Sequence, residues 1–339
     1  MVPADRSAGT NSSPDWAGRS SSRALTLRNV QMPASSGGAG TRSQAAGGAM
    51  TSDGGALPIM YGVDAAQPAE AALDWAADEA ARRGARLHLV HAVLPVTHHV
   101  RGVEETAHHK AMHTLGEEAL DKAAARARER HPQLDVTVSA EPGNPAAVLV
   151  RKSGHAQSVV LGSRHLGRLA QLLSAASTVV PVSAHAACPV VVVPEGERTV
   201  EEPPRVVVGV DDSESADAAV DYACGVAARS GASVHAVWAW QRPRFGFWDE
   251  EAAMEACERH LYAATERRSA TWADVPLSRE VLPGHPVDVL AGVAERALAL
   301  VVGRRGREGF AGMRLGSVPH GLLHQASCPV VIVPPARPV

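Results

Sequence analysis

From Leu57 onward, short apolar runs alternate with longer alanine-rich segments of helical period. The pattern is clearest in the second half. Arg205–Val210 is a β-branched run of the kind found in strands buried on both faces. Asp212-Ser213 follows at an N-cap position, ahead of an Ala-rich helix, Glu214–Ser230, which Gly231 closes at C′. A strand at Ser233–Trp240, a long helix at Trp248–Trp272, a strand at Leu277–Leu282 and a helix at Val287–Leu298 come next. Two last apolar runs, Leu300–Gly303 and Pro329–Val333, bracket a short helix that begins near Gly316. Parallel strands need helical crossovers, so this alternation predicts an α/β, doubly wound parallel sheet. Ligands of such sheets bind outside the carboxyl ends of the strands.

The same signals occur twice. Met60-Tyr-Gly-Val-Asp64 recurs as Val207-Val-Gly-Val-Asp211, and Arg83-Gly84-Ala85 as Ser230-Gly231-Ala232, both 147 positions further on. Pro142-Gly-Asn-Pro145 recurs as Pro283-Gly-His-Pro286, and Cys188-Pro-Val-Val-Val-Val193 as Cys328-Pro-Val-Val-Ile-Val333, at offsets of 141 and 140. Landmarks kept in order at nearly constant spacing describe a tandem duplication. The expected boundaries are a tail over 1–55, a first domain over 56–195, a charged, Pro-bearing linker over 196–204 and a second domain over 205–335. The tail is rich in Ser, Gly and Ala without apolar period, a composition that predicts disorder. Its arginines, Arg6, Arg19, Arg23, Arg28 and Arg42, suit an acidic partner, but a passive tail is the plainer reading, and Met50 is an alternative start.

Composition narrows the classes. A chain of 339 residues, 45% hydrophobic and 20% charged, is long enough for two cores. A formal charge of −3 gives no electrostatic basis for a nucleic-acid partner. No run approaches the roughly 18–20 apolar residues of a membrane span, and the N-terminus lacks a basic-then-apolar leader. Four cysteines without a C-x-x-C pair fit a reduced cytoplasm better than a disulfide scaffold. Lysine occurs only at positions 110, 122 and 152, so the second half cannot contain a P-loop.

Candidate chemistry gathers at the predicted carboxyl ends. Asp211 closes the first strand of the second copy. Its fourth strand runs into Gly303-Arg304-Arg305-Gly306, and Gly316-Ser317 stands where a helix begins. Glycines three apart let backbone approach a phosphate, and a helix N-terminus adds N–H groups and a positive dipole end. Arg304, Arg305, Arg307 and Arg314 supply the cationic charge.

Glycine, two residues, glycine, nine residues, then glycine-serine resembles the nucleotide loop of the universal stress protein family. The strand-one aspartate, the Pro-Gly-x-Pro turn and the closing Cys-Pro-Val-Val strand agree, across both copies from about Leu57 to Pro335. The resemblance implies two flavodoxin-like domains of the adenine nucleotide alpha hydrolase-like kind, packed as a pseudo-dimer within the chain through their last strands, with a homodimer a further option. It implies ATP, bringing Mg²⁺ with it, as ligand of the second copy: Asp211 beside the nucleoside, the Ala239 backbone at adenine, and phosphates on Gly303, Gly306, Gly316 and Ser317. The first copy has Asp64, Ala92 and Gly162 at matching places, but His165 replaces the second glycine, Gly167 comes late, and Ala175-Ala176-Ser177 replaces the glycine-serine pair. It is expected to bind nucleotide weakly or not at all.

The implied function is stress-response regulation, in which ATP biases the surface offered to a protein partner not specified by the sequence. The alternatives are a nucleotide-independent interaction module and a weak ATPase or autophosphorylating protein. No G-x-S-x-G elbow supports hydrolase chemistry, a glycine loop after the fourth strand disfavours a dinucleotide oxidoreductase, and no catalytic residue is assigned. His98, His99, His108, His109 and His113 crowd one segment, with His109 and His113 at helical spacing for a metal, but solvated histidines are the plainer reading. Cys188 and Cys328 read as buried strand-end residues, and Trp238 and Trp240 as core.

Overall fold

The computed structural model describes residues 56–94, 104–163, 178–241, 249–269, 271–306 and 314–336. The predicted tail, His98, His99, His165, Gly167, Ala175, Ala176, Ser177, Trp248 and Arg307 lie outside the described residues, as do the side chains of His108 and His109. The first repeat comprises β1 (Ile59–Gly62), α1 (Glu70–Arg83), β2 (Leu87–Val93), α2 (Glu104–Arg130), β3 (Val136–Pro142), α3 (Pro145–Lys152), β4 (Ser158–Ser163), α4 (Val179–His185) and β5 (Val190–Pro194). The second comprises β6 (Arg205–Gly209), α5 (Glu214–Ser230), β7 (Ser233–Trp240), α6 (Glu250–Ser269), β8 (Leu277–Pro283), α7 (Pro286–Val293), β9 (Ala299–Gly303), α8 (Ser317–Gln325) and β10 (Val330–Val333).

The strands form one ten-stranded sheet in the order β3-β2-β1-β4-β5-β10-β9-β6-β7-β8. Every pairing is parallel except one. β5 and β10 run antiparallel, with Val192 opposite Val330, Val191 opposite Val331 and Val190 opposite Ile332. These strands carry almost nothing but valine because helices cover both faces, and β-branched side chains suit a pleat buried on either side. Helices α1, α2, α5 and α6 share one face over a core continuous across both repeats. On the other face α3 and α4 cover the first repeat, while α7 and α8 cover the second.

Local chemistry sets the helix ends. Gly84 (φ 58°) and Gly231 (φ 62°) adopt the left-handed conformation that closes α1 and α5. Ser213 caps α5, its Oγ accepting from Ala216 N–H at 3.2 Å, and Asn144 caps α3 through the N–H groups of Ala146 and Ala147. Two helices are shorter than their apolar runs predict. α6 spans Glu250–Ser269. α7 stops at Val293, because Ala294–Ala297 must turn back so that Leu298 N–H can reach the Arg205 carbonyl at 2.8 Å and start β9 in register. The helical pattern of Val287–Leu298 continues through that turn because Ala294 and Ala297 are buried in it.

Two polar contacts flank the β5–β10 seam. Glu79, 1% exposed, receives Arg83 Nε at 2.6 Å, Arg82 Nη2 at 3.0 Å and, from the other repeat, Arg229 Nη2 at 3.5 Å. Arg83 also donates to the Tyr222 hydroxyl at 3.1 Å and lies over that ring. At the matching positions of the second repeat stand Val226 and Ser230, so the charge cluster exists once and the junction is asymmetric. Cys188 and Cys328 are buried at the strand starts, and burial pushes the Cys328 thiol up to about 11. None of the four cysteines is in a disulfide, and among the described residues no helix is long and apolar enough to cross a membrane.

Removing one partner of a buried ion pair leaves the others uncompensated, which costs about 3–5 kcal/mol when all are buried. Arg82 and Arg229 are about one-third exposed. Glu79→Ala should therefore lower the unfolding free energy by about 2–3 kcal/mol in urea titrations, and Glu79→Gln by less.

Candidate functional site

In the second repeat the strand order reverses between β9 and β6, and two loops meet beyond their carboxyl ends. Ser213 ties them together. Its Oγ lies 2.6 Å from Asp211 Oδ1 and 3.2 Å from the Arg305 carbonyl oxygen, while Asp211 Oδ1 also accepts from Ser213 N–H at 3.3 Å. One hydroxyl thus caps a helix, orients the strand-one carboxylate and holds the strand-four loop. Ser213 is legible in the sequence as a cap but not as a bridge, since the Arg305 carbonyl arrives from 92 residues away.

The glycines of the loop make room for protein before they make room for a ligand. A Cβ on Gly303 would stand 2.7 Å from Ser215 Cβ and 2.8 Å from the Ser215 carbonyl carbon, and one on Gly306 2.5 Å from Asp211 Oδ2. At Gly303 loop and helix therefore press together to a degree only glycine permits, while at Gly306 the neighbour is the tip of the Asp211 side chain. At Gly316 an added Cβ would meet Pro319, Arg304 and Arg305 at 3.4–3.6 Å, ordinary contact, and its φ of −68° suits any residue.

Gly316 stands at the N-cap of α8. Its own N–H goes to the Arg304 carbonyl at 2.9 Å. No side chain caps the helix, its first turn holds no acidic residue, and Ser317 is exposed, so no side chain of the helix itself compensates the positive end of the dipole. Arg304 does not turn toward this end. Its Nη1 donates to the Ala186 carbonyl of the first repeat at 2.8 Å. Burial, and after it the charges of Arg305 and Arg314, pull the Arg304 guanidinium below its ordinary range. Arg305 and Arg314 are exposed and make no ion pair with a described residue.

Ala239 lies one strand over. The β6–β7 ladder ends at Gly209 and Val237, with a last bond from Val210 N–H to the Val237 carbonyl, so Ala239 lies beyond the end of β6, at the carboxyl edge. Trp238 and Trp240 are buried in the helix-covered core on either side of it. The structure thus brings Asp211, Gly303, Gly306, Gly316 and Ser317 to one end of the sheet, with Ala239 on the adjoining strand.

The first repeat differs. Asp64 Oδ1 accepts from Ala66 and Gln67 N–H groups in a tight local turn, and Ala66 stands where the second repeat has Ser213. Gly162 packs against Ala69, where a Cβ would overlap. Ala92 pairs with Glu141 and packs against the α3–α4 core. Among the described residues no group of three metal-ligating side chains converges. The sequence places Asp212 with Ser213 at an N-cap and does not single out His260; in the structure Ser213 alone caps the helix, Asp212 is a non-glycine residue at φ 59°, and His260 Nδ1 lies 3.0 Å from Asp212 Oδ2. A left-handed Asp and a partner 48 residues away leave no local pattern to detect.

A model of the universal stress protein family matches residues 57–194 and again 203–334. A universal stress protein from Mycolicibacterium smegmatis is 32% identical over 293 residues, covering 82% of this chain and 97% of its own length. The crystal structure of a universal stress protein from Archaeoglobus fulgidus overlays with a TM-score of 0.62 at 17% identity, covering 82% of this chain and 97% of that one. A universal stress protein solved in complex with cAMP is 32% identical, covering 39% of this chain and 98% of its own, with a TM-score of 0.33.

Gly303→Ala should destabilise the second repeat by about 1–3 kcal/mol through overpacking against Ser215, whereas Gly316→Ala should leave the thermal midpoint within about 2 °C of wild type. Differential scanning calorimetry of the two variants separates these effects.

Proposed function

The chain belongs to the universal stress protein family, and from that premise we propose that its second repeat binds an adenine nucleotide, ATP with Mg²⁺, and that the protein acts in the stress response through nucleotide-dependent contacts with a protein partner. The observation that carries this reading is the end of α8: an uncapped helix N-terminus without an acidic residue, beside Arg305 and Arg314, neither of which has an ion pair among the described residues. Such an end stabilises phosphate oxygens through the N–H groups of Ser317 and Val318 and through the dipole. Ser317 Oγ adds a donor. Pro319 has no N–H to contribute, so the contact is confined to the first two helical residues.

The remaining roles follow the strand ends. The Asp211 carboxylate, oriented by Ser213, accepts from the ribose hydroxyls, and the Ala239 backbone, beyond the end of β6, meets the adenine edge. Gly303 and Gly306 act one step back: they let the loop seat on Ser215 and Asp211 so that the ribose and phosphate sites keep a fixed separation. Mg²⁺ arrives on the phosphates, since the described residues present no acidic cluster to hold it alone. Binding rather than turnover is proposed because Asp211 is tied to its own loop and acts on the sugar. Four cysteines outside any disulfide, three of them buried, suit the reducing cytoplasm.

A nucleotide-independent interaction module is the second reading, favoured by Ser215 and Asp211 occupying the space beside Gly303 and Gly306.

Calorimetric titration of ATP with Mg²⁺ into the full chain distinguishes the two. Wild type should bind one ATP per chain. Ser317→Glu introduces a charge that favours the helix end but repels phosphate, so it should preserve or raise the melting temperature while weakening ATP by about tenfold or more. Gly316→Ala is a poorer probe, because its methyl group would point into the protein. No heat with wild type would leave the module reading.

A further inference from the structure

Between α1 and α2 the first repeat holds a cavity of about 210 Å³ whose lining includes none of Asp64, Ala92 or Gly162. Its walls are mostly carbon, with Leu73 and Ala123 from the core and Leu115 and Ala119 along α2. Tyr61 contributes its ring, while its hydroxyl is spent on the Ala69 carbonyl at 3.0 Å, and burial raises its pKa so that it stays neutral. Leu115 is 49% exposed beside this space.

The corresponding region of the second repeat acts as an internal comparison. Buried Leu120 and Ala123 of α2 match buried Leu261 and Ala264 of α6. Arg126 matches Arg267, each reaching the first-turn acid of the preceding helix, Glu70 and Asp217. In that register Ala119 corresponds to His260, and after strand one Ala65 corresponds to Asp212. The second repeat therefore carries a His260–Asp212 pair, with the imidazole edge-on to Trp238 at 6.0 Å, where the first repeat carries two alanines. Its cleft, of about 240 Å³, is lined by Asp212, Arg259, His260 and Arg267 beside Ala263 and Ala264. Both repeats thus hold a cleft at this place, and the first one's reaches further along carbon, past Tyr61, Leu73 and Leu115.

The mouth of that cavity says what the occupant carries. Arg126 is already held by Asp74 and Glu70. Glu118 and Lys122, one helical turn apart, are exposed at the rim and have no hydrogen bond or ion pair among the described residues. A lone anion would meet Glu118 and a lone cation Lys122, whereas a zwitterion suits both. A dry cavity of about 150 Å³ takes a benzene-sized guest, so the apolar body is of about that size or slightly larger. We propose that the first repeat binds a free α-amino acid with a large apolar side chain, phenylalanine being the model: the side chain against Leu73 and Leu115, the carboxylate toward Lys122, the ammonium toward Glu118. This inference does not rest on nucleotide binding by the second repeat.

Saturation-transfer NMR titrations of the full chain with phenylalanine, 3-phenylpropionate and phenethylamine test it. Phenylalanine should bind with an affinity on the order of millimolar, as its size allows. Each analogue, lacking one charge, should bind about tenfold more weakly. Ala119→His installs the second repeat's residue and should abolish transfer, and Lys122→Ala, at an exposed position, should bring phenylalanine down to the affinity of phenethylamine. Absence of transfer from phenylalanine, binding indifferent to Ala119→His, or phenylpropionate binding as tightly as phenylalanine would each overturn the proposal.

Discussion

The antiparallel pairing of β5 with β10 is the constraint on which the rest of the molecule depends. Each strand lies at what would be an open sheet edge in its own repeat, all valine and isoleucine at the paired positions, and such an edge in water is a template for uncontrolled association. Pairing the two edges removes both and makes the α1–α2 and α5–α6 layers continuous over one core. The outer strands of the finished sheet, β3 and β8, mostly alternate half-buried with exposed positions and carry Glu141, Arg279 and Glu280. Growth of the sheet thus ends on charge at both sides.

Within each repeat, the sheet places loops at the carboxyl ends and leaves their chemistry to a few residues. In the second repeat a single serine joins the two loops, and glycines allow a contact closer than any side chain would. In the first repeat the aspartate closes on its own turn and the glycine packs on an alanine. The fold is common to both, and what each end can hold is decided by four or five side chains.

Much of the fold was legible because its boundaries are written locally. Glu214–Ser230 and Ser233–Trp240 match the observed elements end to end, since Ser213 and Gly231 mark their limits by capping chemistry that needs no tertiary partner. The end of α7 was not legible: alanines at 294 and 297 keep the helical pattern, and only the register of β9 makes the chain turn there. At the candidate site the strand ends could be read, because the duplicated landmarks locate them. The direction of Arg304 could not, because its acceptor, the Ala186 carbonyl, comes from the other repeat. Glu79 likewise reads as one more charge on a helix until Arg229 is brought beside it.

The segment between Pro194 and Arg205 does more than connect. Two separate chains meeting along the same seam would surrender translational and rotational freedom worth roughly 4–15 kcal/mol and would come apart on dilution. A covalent link replaces that loss with the closure of a short loop, which costs far less and does not depend on concentration. Pairing within one molecule is therefore favoured over pairing between molecules, and every molecule holds one of each half. That fixed stoichiometry sets one Glu79 against one Arg229 in each molecule, and it frees either half to change what it recognises while the other keeps its partner.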